Sequence, residues 1–131
     1  MRTRKEKRTV NHKPLKTRIA VFNQDFVFFI GTDPELVTSY CKRHFASDLS
    51  SQSWGLGKCL SFDSNFAKTI VIWTKRDLSN PYGISALTHE CVHAANRTLA
   101  GIGARPDALN DEVQAYIVSF LIEAALGLNP K

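Results

Sequence analysis

Two histidines and a glutamate stand in the sequence His89-Glu90-x-x-His93, and this spacing suits metal binding combined with proton transfer. Residues four positions apart lie above one another on one face of an α-helix, so both imidazoles can reach the same metal ion. Glu90 lies one position off that face, where its carboxylate can take a proton from a metal-bound water. The motif therefore predicts a metal site in which His89 and His93 are ligands and Glu90 is the general base.

A third ligand has to come from elsewhere, because a catalytic zinc ion normally has three protein ligands and one open position for water. Glu112 follows His93 by 19 residues and begins the next predicted helix. A loop of nine or ten residues can fold that helix back across the motif, and Asp111 is the competing candidate. Two imidazoles and one carboxylate suit zinc best, although iron, manganese and nickel accept the same donors. We expect one Zn²⁺ per chain.

This motif, followed at that distance by an Asp-Glu-x-x-Ala-Tyr helix, resembles the gluzincin class of zinc metalloproteases. It looks most like the minimal single-domain members and the small HExxH proteins encoded by bacteriophages, and the resemblance covers roughly residues 69–126. It implies a zincin-like fold with zinc held by His89, His93 and Glu112. It also implies a metallopeptidase that hydrolyses peptide bonds in a protein or peptide substrate.

The resemblance assigns further roles around the metal. Gluzincins bind substrate along the edge strand beside the motif helix, which points here to Thr69, Ile70, Val71, Ile72, Trp73 and Thr74. Many place an Asp four residues after the third ligand to orient a zinc-bound His; that position is Tyr116 here, so Asp111 or a backbone carbonyl must serve instead. Larger members stabilise the oxyanion with a second domain, for which this chain is too short. We assign that hydrogen bond to Tyr116, with Tyr82 as the alternative.

The elements that position these residues follow from hydrophobic periodicity and turn signals. The pattern predicts the order β-β-α-β-β-α-α, an α+β fold with a small antiparallel or mixed sheet packed on three helices. The predicted strands cover 19–22 and 26–30, joined as a hairpin by 23–25, then 58–62 and 69–74. The predicted helices cover 34–45, about 84–100 and, after residue 111, up to about 126. Asp33 and Pro34 predict the cap and first position of the first helix.

Apolar stripes predict which faces of the last two helices are buried. The stripe of the motif helix consists of Ile84, Leu87, Cys91, Ala95, Thr98 and Ile102. The stripe of the last helix consists of Val113, Ile117, Phe120, Leu121 and Ala124. The first stripe leaves the two histidines on a neighbouring face.

The formal charge of +5 is distributed unevenly along the 131 residues. Residues 1–18 contain eight Lys or Arg and one Glu, whereas the remainder carries a net charge of −2. We predict a basic flexible arm over residues 1–17 and one folded domain over 18–131. The concentration of Lys and Arg in residues 1–18 predicts salt-sensitive, non-specific contact with nucleic acid. The alternative function is therefore a non-catalytic, zinc-holding module that binds protein or nucleic acid.

The chain has no run of 18 apolar residues and no signal-peptide pattern, so we expect no membrane contact and a location in the cytoplasm, that of the host if the chain is phage-encoded. The three cysteines, Cys41, Cys59 and Cys91, are odd in number and widely spaced. This pattern argues against a disulfide framework or a four-cysteine zinc site. We expect each cysteine to be a small buried apolar group.

Overall fold

The computed structural model describes residues 13–63, 68–108 and 111–128. Within these residues the elements follow the predicted order, and the α+β prediction is confirmed by three helices and a four-stranded mixed sheet. The elements are β1 (Leu15–Ile19), β2 (Gln24–Ile30), α1 (Pro34–Phe45), β3 (Gly57–Asp63), β4 (Lys68–Thr74), α2 (Pro81–Gly101) and α3 (Glu112–Ala125), with a 3-10 turn, Ala20–Phe22, between the first two strands. No helix in the described part of the chain is long and apolar enough to span a bilayer.

The strand order across the sheet is β1-β2-β4-β3. β1 is antiparallel to β2, β2 is parallel to β4, and β3 is antiparallel to β4. β4 therefore lies inside the sheet, and β1 and β3 form its two edges. Strands β2 and β4 are almost continuously apolar because helices cover both faces of the sheet.

Two hydrophobic cores lie on opposite faces of the sheet. Alternate side chains of β2 and β4 enter each core, since successive residues of a strand point to opposite faces. The strands contribute Phe26, Phe28, Ile70 and Ile72 to the core that contains α2 and α3. They contribute Val27, Phe29, Val71 and Trp73 to the core that contains α1. The motif helix thus has one face packed on the sheet and its opposite face free for chemistry.

The hairpin is present, but its first strand begins four residues earlier than predicted. Asn23 adopts the left-handed conformation (φ 54°), and its N–H donates to the carbonyl of Ala20, which closes the turn before residue 24. Asn tolerates this conformation better than most residues. Residues 15–17, which the sequence assigned to the flexible arm, therefore pair with β2.

Helix α1 has the predicted bounds, although the Asp33 side chain makes no capping hydrogen bond. Helix α2 begins at Pro81, three residues before the predicted start. The side chain of Asn80 accepts a hydrogen bond from the N–H of Tyr82 at 2.8 Å. An Asn cap followed by Pro is a strong helix start, which is why the helix begins before the predicted residue 84.

The predicted stripes are buried at their centres and exposed at their ends. In α2 the buried members include Leu87, Cys91, Ala95 and Thr98, while Ile84 and Ile102 are exposed. In α3 Ile117 and Leu121 are buried and Val113 is exposed. Helical periodicity alone therefore overestimated the burial of Ile84, Ile102 and Val113.

Candidate metal site

Helix α2 brings the two histidines together at the distance that a shared metal ion requires. The Nε2 atoms of His89 and His93 are 3.2 Å apart, and the two rings are inclined at 77°. Two nitrogens bound tetrahedrally at 2.0–2.1 Å from zinc lie about 3.3 Å from each other. Both side chains are exposed. The separation of the two Nε2 atoms therefore matches that of two imidazoles bound to one zinc ion.

Glu90, unlike the two exposed histidines, packs against the sheet. Its side chain is only 7 % exposed, and none of the described residues donates a hydrogen bond to its carboxylate. The backbone of Gly57 in β3 lies so close that a Cβ there would be 3.1 Å from both Cγ and Oε2 of Glu90. The absence of a side chain at Gly57 leaves room for the carboxylate. This role was not predicted from the sequence, because residue 57 lies one position before the predicted strand 58–62.

The strand beside the motif is β3, and no other strand of the described residues pairs with its outer edge. The N–H of Lys75 donates to the carbonyl of Leu56 at 3.0 Å, which continues the β3–β4 register by one hydrogen-bonded pair. Hydrogen-bonded and non-hydrogen-bonded pairs alternate along antiparallel strands. The N–H and C=O groups of Gly57, Cys59 and Ser61 therefore point away from β4.

Residues 69–74 are not the edge strand that the predicted substrate position assumed. These residues form β4, which hydrogen-bonds to β2 on one side and to β3 on the other. A strand paired on both sides has no free backbone groups for a peptide, and residues 70–74 are also buried. The edge strand next to the motif helix is β3.

Arg97 connects α2 to this edge strand. It follows His93 by one helical turn, and its Nη1 donates to the carbonyl oxygen of Cys59 at 2.8 Å and to Oγ of Ser61 at 3.0 Å. The sequence analysis did not single out Arg97. Its position four residues after His93 is the signal that places it on the histidine side of the helix.

The third ligand is not brought to the histidine pair in the described structure. Glu112 and its neighbour Asp111 are exposed at the start of α3. Within the described ranges no group of three His, Cys, Asp or Glu side chains is arranged to hold a metal. Glu112 as a ligand, with Asp111 as its competitor, stays a prediction.

A cleft runs along α2 beyond the histidines, towards the start of α3. Its volume is about 520 Å³, and its lining includes Asn96, Ala100, Arg105 and Gln114. The side chain of Gln114 donates to Asn96 at 2.5 Å and so connects the first turn of α3 to α2. Asn96 lies one turn after His93, so the start of α3 and the histidine pair border the same side of α2.

The two tyrosines considered for oxyanion stabilisation lie in different places. Tyr116 is 69 % exposed and lines an apolar groove of about 350 Å³ with Ile19 and Phe22. That groove is at the β1 side of the sheet, across from β3. Tyr82 lies in the first turn of α2, where the Arg76 guanidinium is 5.7 Å from its ring centre. Neither position supplies evidence for the proposed hydrogen bond.

All three cysteines are free and buried, as predicted. Burial raises the pKa of the Cys59 thiol to about 11, an increase that Arg97 opposes and Glu90 reinforces. Burial raises the pKa of Cys91 to about 12, with smaller contributions from Cys59 and Glu90. These thiols therefore stay protonated at neutral pH.

Most of the predicted basic arm, residues 1–12, lies outside the described residues. Of the basic side chains that follow, Arg18 forms an ion pair with Asp25 at 2.6 Å. Nζ of Lys16 lies 5.9 Å from the ring centre of Tyr40. Nucleic-acid contact through residues 1–18 stays a prediction.

Comparison of the chain with protein-family models, curated proteins and solved structures finds no match.

Proposed function

We propose that this protein is a zinc-dependent metallopeptidase in which His89 and His93 hold the metal and Glu90 is the general base. The observation that carries the proposal is the 3.2 Å approach of the two Nε2 atoms. Glu90, which directly follows His89, is only 7 % exposed, and none of the described residues donates a hydrogen bond to its carboxylate. Two convergent imidazoles and an uncommitted carboxylate are the groups that metal-assisted hydrolysis needs.

Each residue has a defined task in this mechanism. Zinc held by two imidazoles and a carboxylate polarises a carbonyl group and lowers the pKa of water. Glu90 accepts the proton of the attacking water and passes it to the leaving amine. Its burial against Gly57 restricts the carboxylate to one region between α2 and β3. Glu112 is the proposed third ligand, and the zincin-like assignment of the fold belongs to the same proposal.

Peptide bonds are the proposed substrate because a free strand edge borders the site. The outward N–H and C=O groups of Gly57 and the outward N–H of Cys59 can pair with an extended main chain. Such pairing would hold a peptide alongside α2, on which the histidines stand. Main-chain pairing does not depend on side-chain identity, so it suits a peptide better than a small molecule.

The test combines metal analysis with cleavage. The full chain is loaded with zinc, its metal content is measured by atomic absorption, and a mixed pool of peptides is analysed for new termini by mass spectrometry. Glu90→Gln should keep one zinc per chain and lose cleavage, since the amide cannot accept the proton. His93→Ala should lose the zinc, whereas His44→Ala, which removes an exposed histidine elsewhere, should keep it.

The third ligand is tested by a matched pair of variants. Glu112→Ala should weaken zinc binding by tenfold or more, and Asp111→Ala should leave it close to that of the parent chain. The reverse order would assign the third position to Asp111. Normal cleavage by Glu90→Gln, or one zinc per chain in His93→Ala, would contradict the proposed function itself.

A further inference from the structure

Arg97 has more hydrogen-bonding capacity than the fold uses. Both of its hydrogen bonds, to Cys59 and Ser61, come from Nη1. Among the described residues no carboxylate forms an ion pair with Arg97, and Nε and Nη2 have no acceptor. A guanidinium presents five N–H donors in a planar fork that matches a carboxylate. Arg97 can therefore hold β3 with one nitrogen and bind a ligand with the others.

The same contact limits how far a peptide can pair along β3. The carbonyl of Cys59 points outward, where it would accept from the N–H of an added strand, and Arg97 already occupies it. Main-chain pairing is thus unobstructed at Gly57, whereas at Cys59 a peptide would compete with Arg97 for the carbonyl oxygen. A peptide paired with Gly57 along this edge therefore meets the Arg97 guanidinium at the next outward-pointing residue, Cys59.

The distance from the metal ligands to Arg97 sets the position of the group that it would bind. Six residues separate Arg97 from the midpoint of the His89–His93 pair, which corresponds to about 9 Å along the helix axis. An extended peptide advances about 3.3 Å per residue. The guanidinium is therefore two or three residues from the bond that the metal site would cleave.

We propose that Arg97 is a carboxylate-binding subsite that selects peptides carrying a negative charge two or three residues from the cleaved bond. This inference rests on the proposed peptidase function. The carboxylate can be an acidic side chain or the C-terminus of the peptide, because a guanidinium pairs with both in the same way. Arg97 would thus determine specificity, while its Nη1 keeps α2 and β3 together.

The experiment uses the zinc-loaded full chain and a pool of tryptic peptides whose cleavage sites are read by mass spectrometry. If Asp or Glu recurs at a fixed position relative to the cleaved bond, the group that Arg97 binds is a side-chain carboxylate. If the cleaved bond instead lies at a fixed distance from the C-terminal end of the peptide, the group is the C-terminal carboxylate. A methyl-esterified copy of the pool, in which all carboxylates are blocked, should be cleaved about 10- to 100-fold more slowly, the range for losing a charge-assisted hydrogen bond.

Arg97→Gln should reduce the ratio between native and esterified pools to about one and remove the positional preference. Arg97→Lys keeps the positive charge but lacks the planar guanidinium, so it should retain part of the difference in cleavage rate between the native and esterified pools. This partial retention distinguishes a loss of recognition from a folding defect. Arg76→Gln makes the same charge change outside the site and should leave the ratio unchanged. Thermal unfolding of each variant confirms that it is folded.

Each outcome decides between the two proposals. If the parent chain cleaves native and esterified pools equally, or if Arg97→Gln keeps the preference, the subsite is refuted and the peptidase function stands. If the zinc-loaded parent cleaves neither pool, the peptidase function is refuted and the Arg97 subsite with it. Loss of the preference in Arg97→Gln alone supports both.

Discussion

Gly57→Ala tests whether the position of Glu90 matters for catalysis separately from metal binding. The new methyl group would lie 3.1 Å from Cγ and Oε2 of Glu90 and 3.4 Å from Cβ of Ala86. Carbon atoms prefer separations of 3.5–4.0 Å, so the carboxylate must move by a few tenths of an ångström. Gly57 is not among the residues with positive φ, so alanine fits its backbone.

The expected effect is on rate. Misplacement of a reacting group by about 1 Å can cost about 100-fold, so a shift of about half that size should lower kcat about tenfold, or about 1.4 kcal/mol. Zinc content should stay at one per chain, because the histidines are on the neighbouring face of α2. Stability should change by less than about 1 kcal/mol, since replacing Gly by Ala also reduces the entropy of the unfolded chain.

Cleavage of the most rapidly hydrolysed peptide, zinc content and urea unfolding are measured on the same preparations. Lys58→Ala is the control, because Lys58 is adjacent in β3 and its side chain lies on the opposite face. Gly57→Ala combined with Ala86→Gly relieves the contact with Ala86 only and should stay slow. Parental rates in Gly57→Ala, recovery in the double variant or loss of zinc would refute the reasoning.

Three further predictions concern stability. The pKa values of Cys59 and Cys91, about 11 and about 12, exceed the ordinary value of 9.0, so the unfolded chain releases these protons first. The free energy of unfolding in urea should therefore be unaffected by these thiols below pH 9. It should fall as the pH rises from 9 towards 11, and it should fall less steeply in the double variant Cys59→Ala/Cys91→Ala. Equal pH dependence in the variant and the parent chain would contradict the burial of the two thiols. Leu121→Ala should lower the free energy of unfolding by about 2–5 kcal/mol because this fully buried side chain joins α3 to the core. Asp25→Asn, which breaks an ion pair between partly exposed side chains, should cost less than about 1 kcal/mol.

Local sequence predicted the elements well because their signals depend on near neighbours. Helix α1 has the predicted bounds, and β3 and β4 differ from the prediction by one residue at their ends. The errors arose where a single residue changes the local backbone. Asn23 closes the hairpin early, and Asn80 starts α2 early through a side-chain hydrogen bond.

The sequence by itself determined the histidine pair, because a four-residue spacing on a helix places two side chains together whatever the rest of the chain does. The tertiary structure decided which strand lies beside that pair. Strand order depends on pairing between distant segments, and it put β4 inside the sheet and β3 at the edge. The contacts of Gly57 with Glu90 and of Arg97 with Cys59 join segments more than 30 residues apart. The hydrophobic periodicity of either segment does not predict such a contact, because only the packing of α2 against the sheet brings α2 and β3 together.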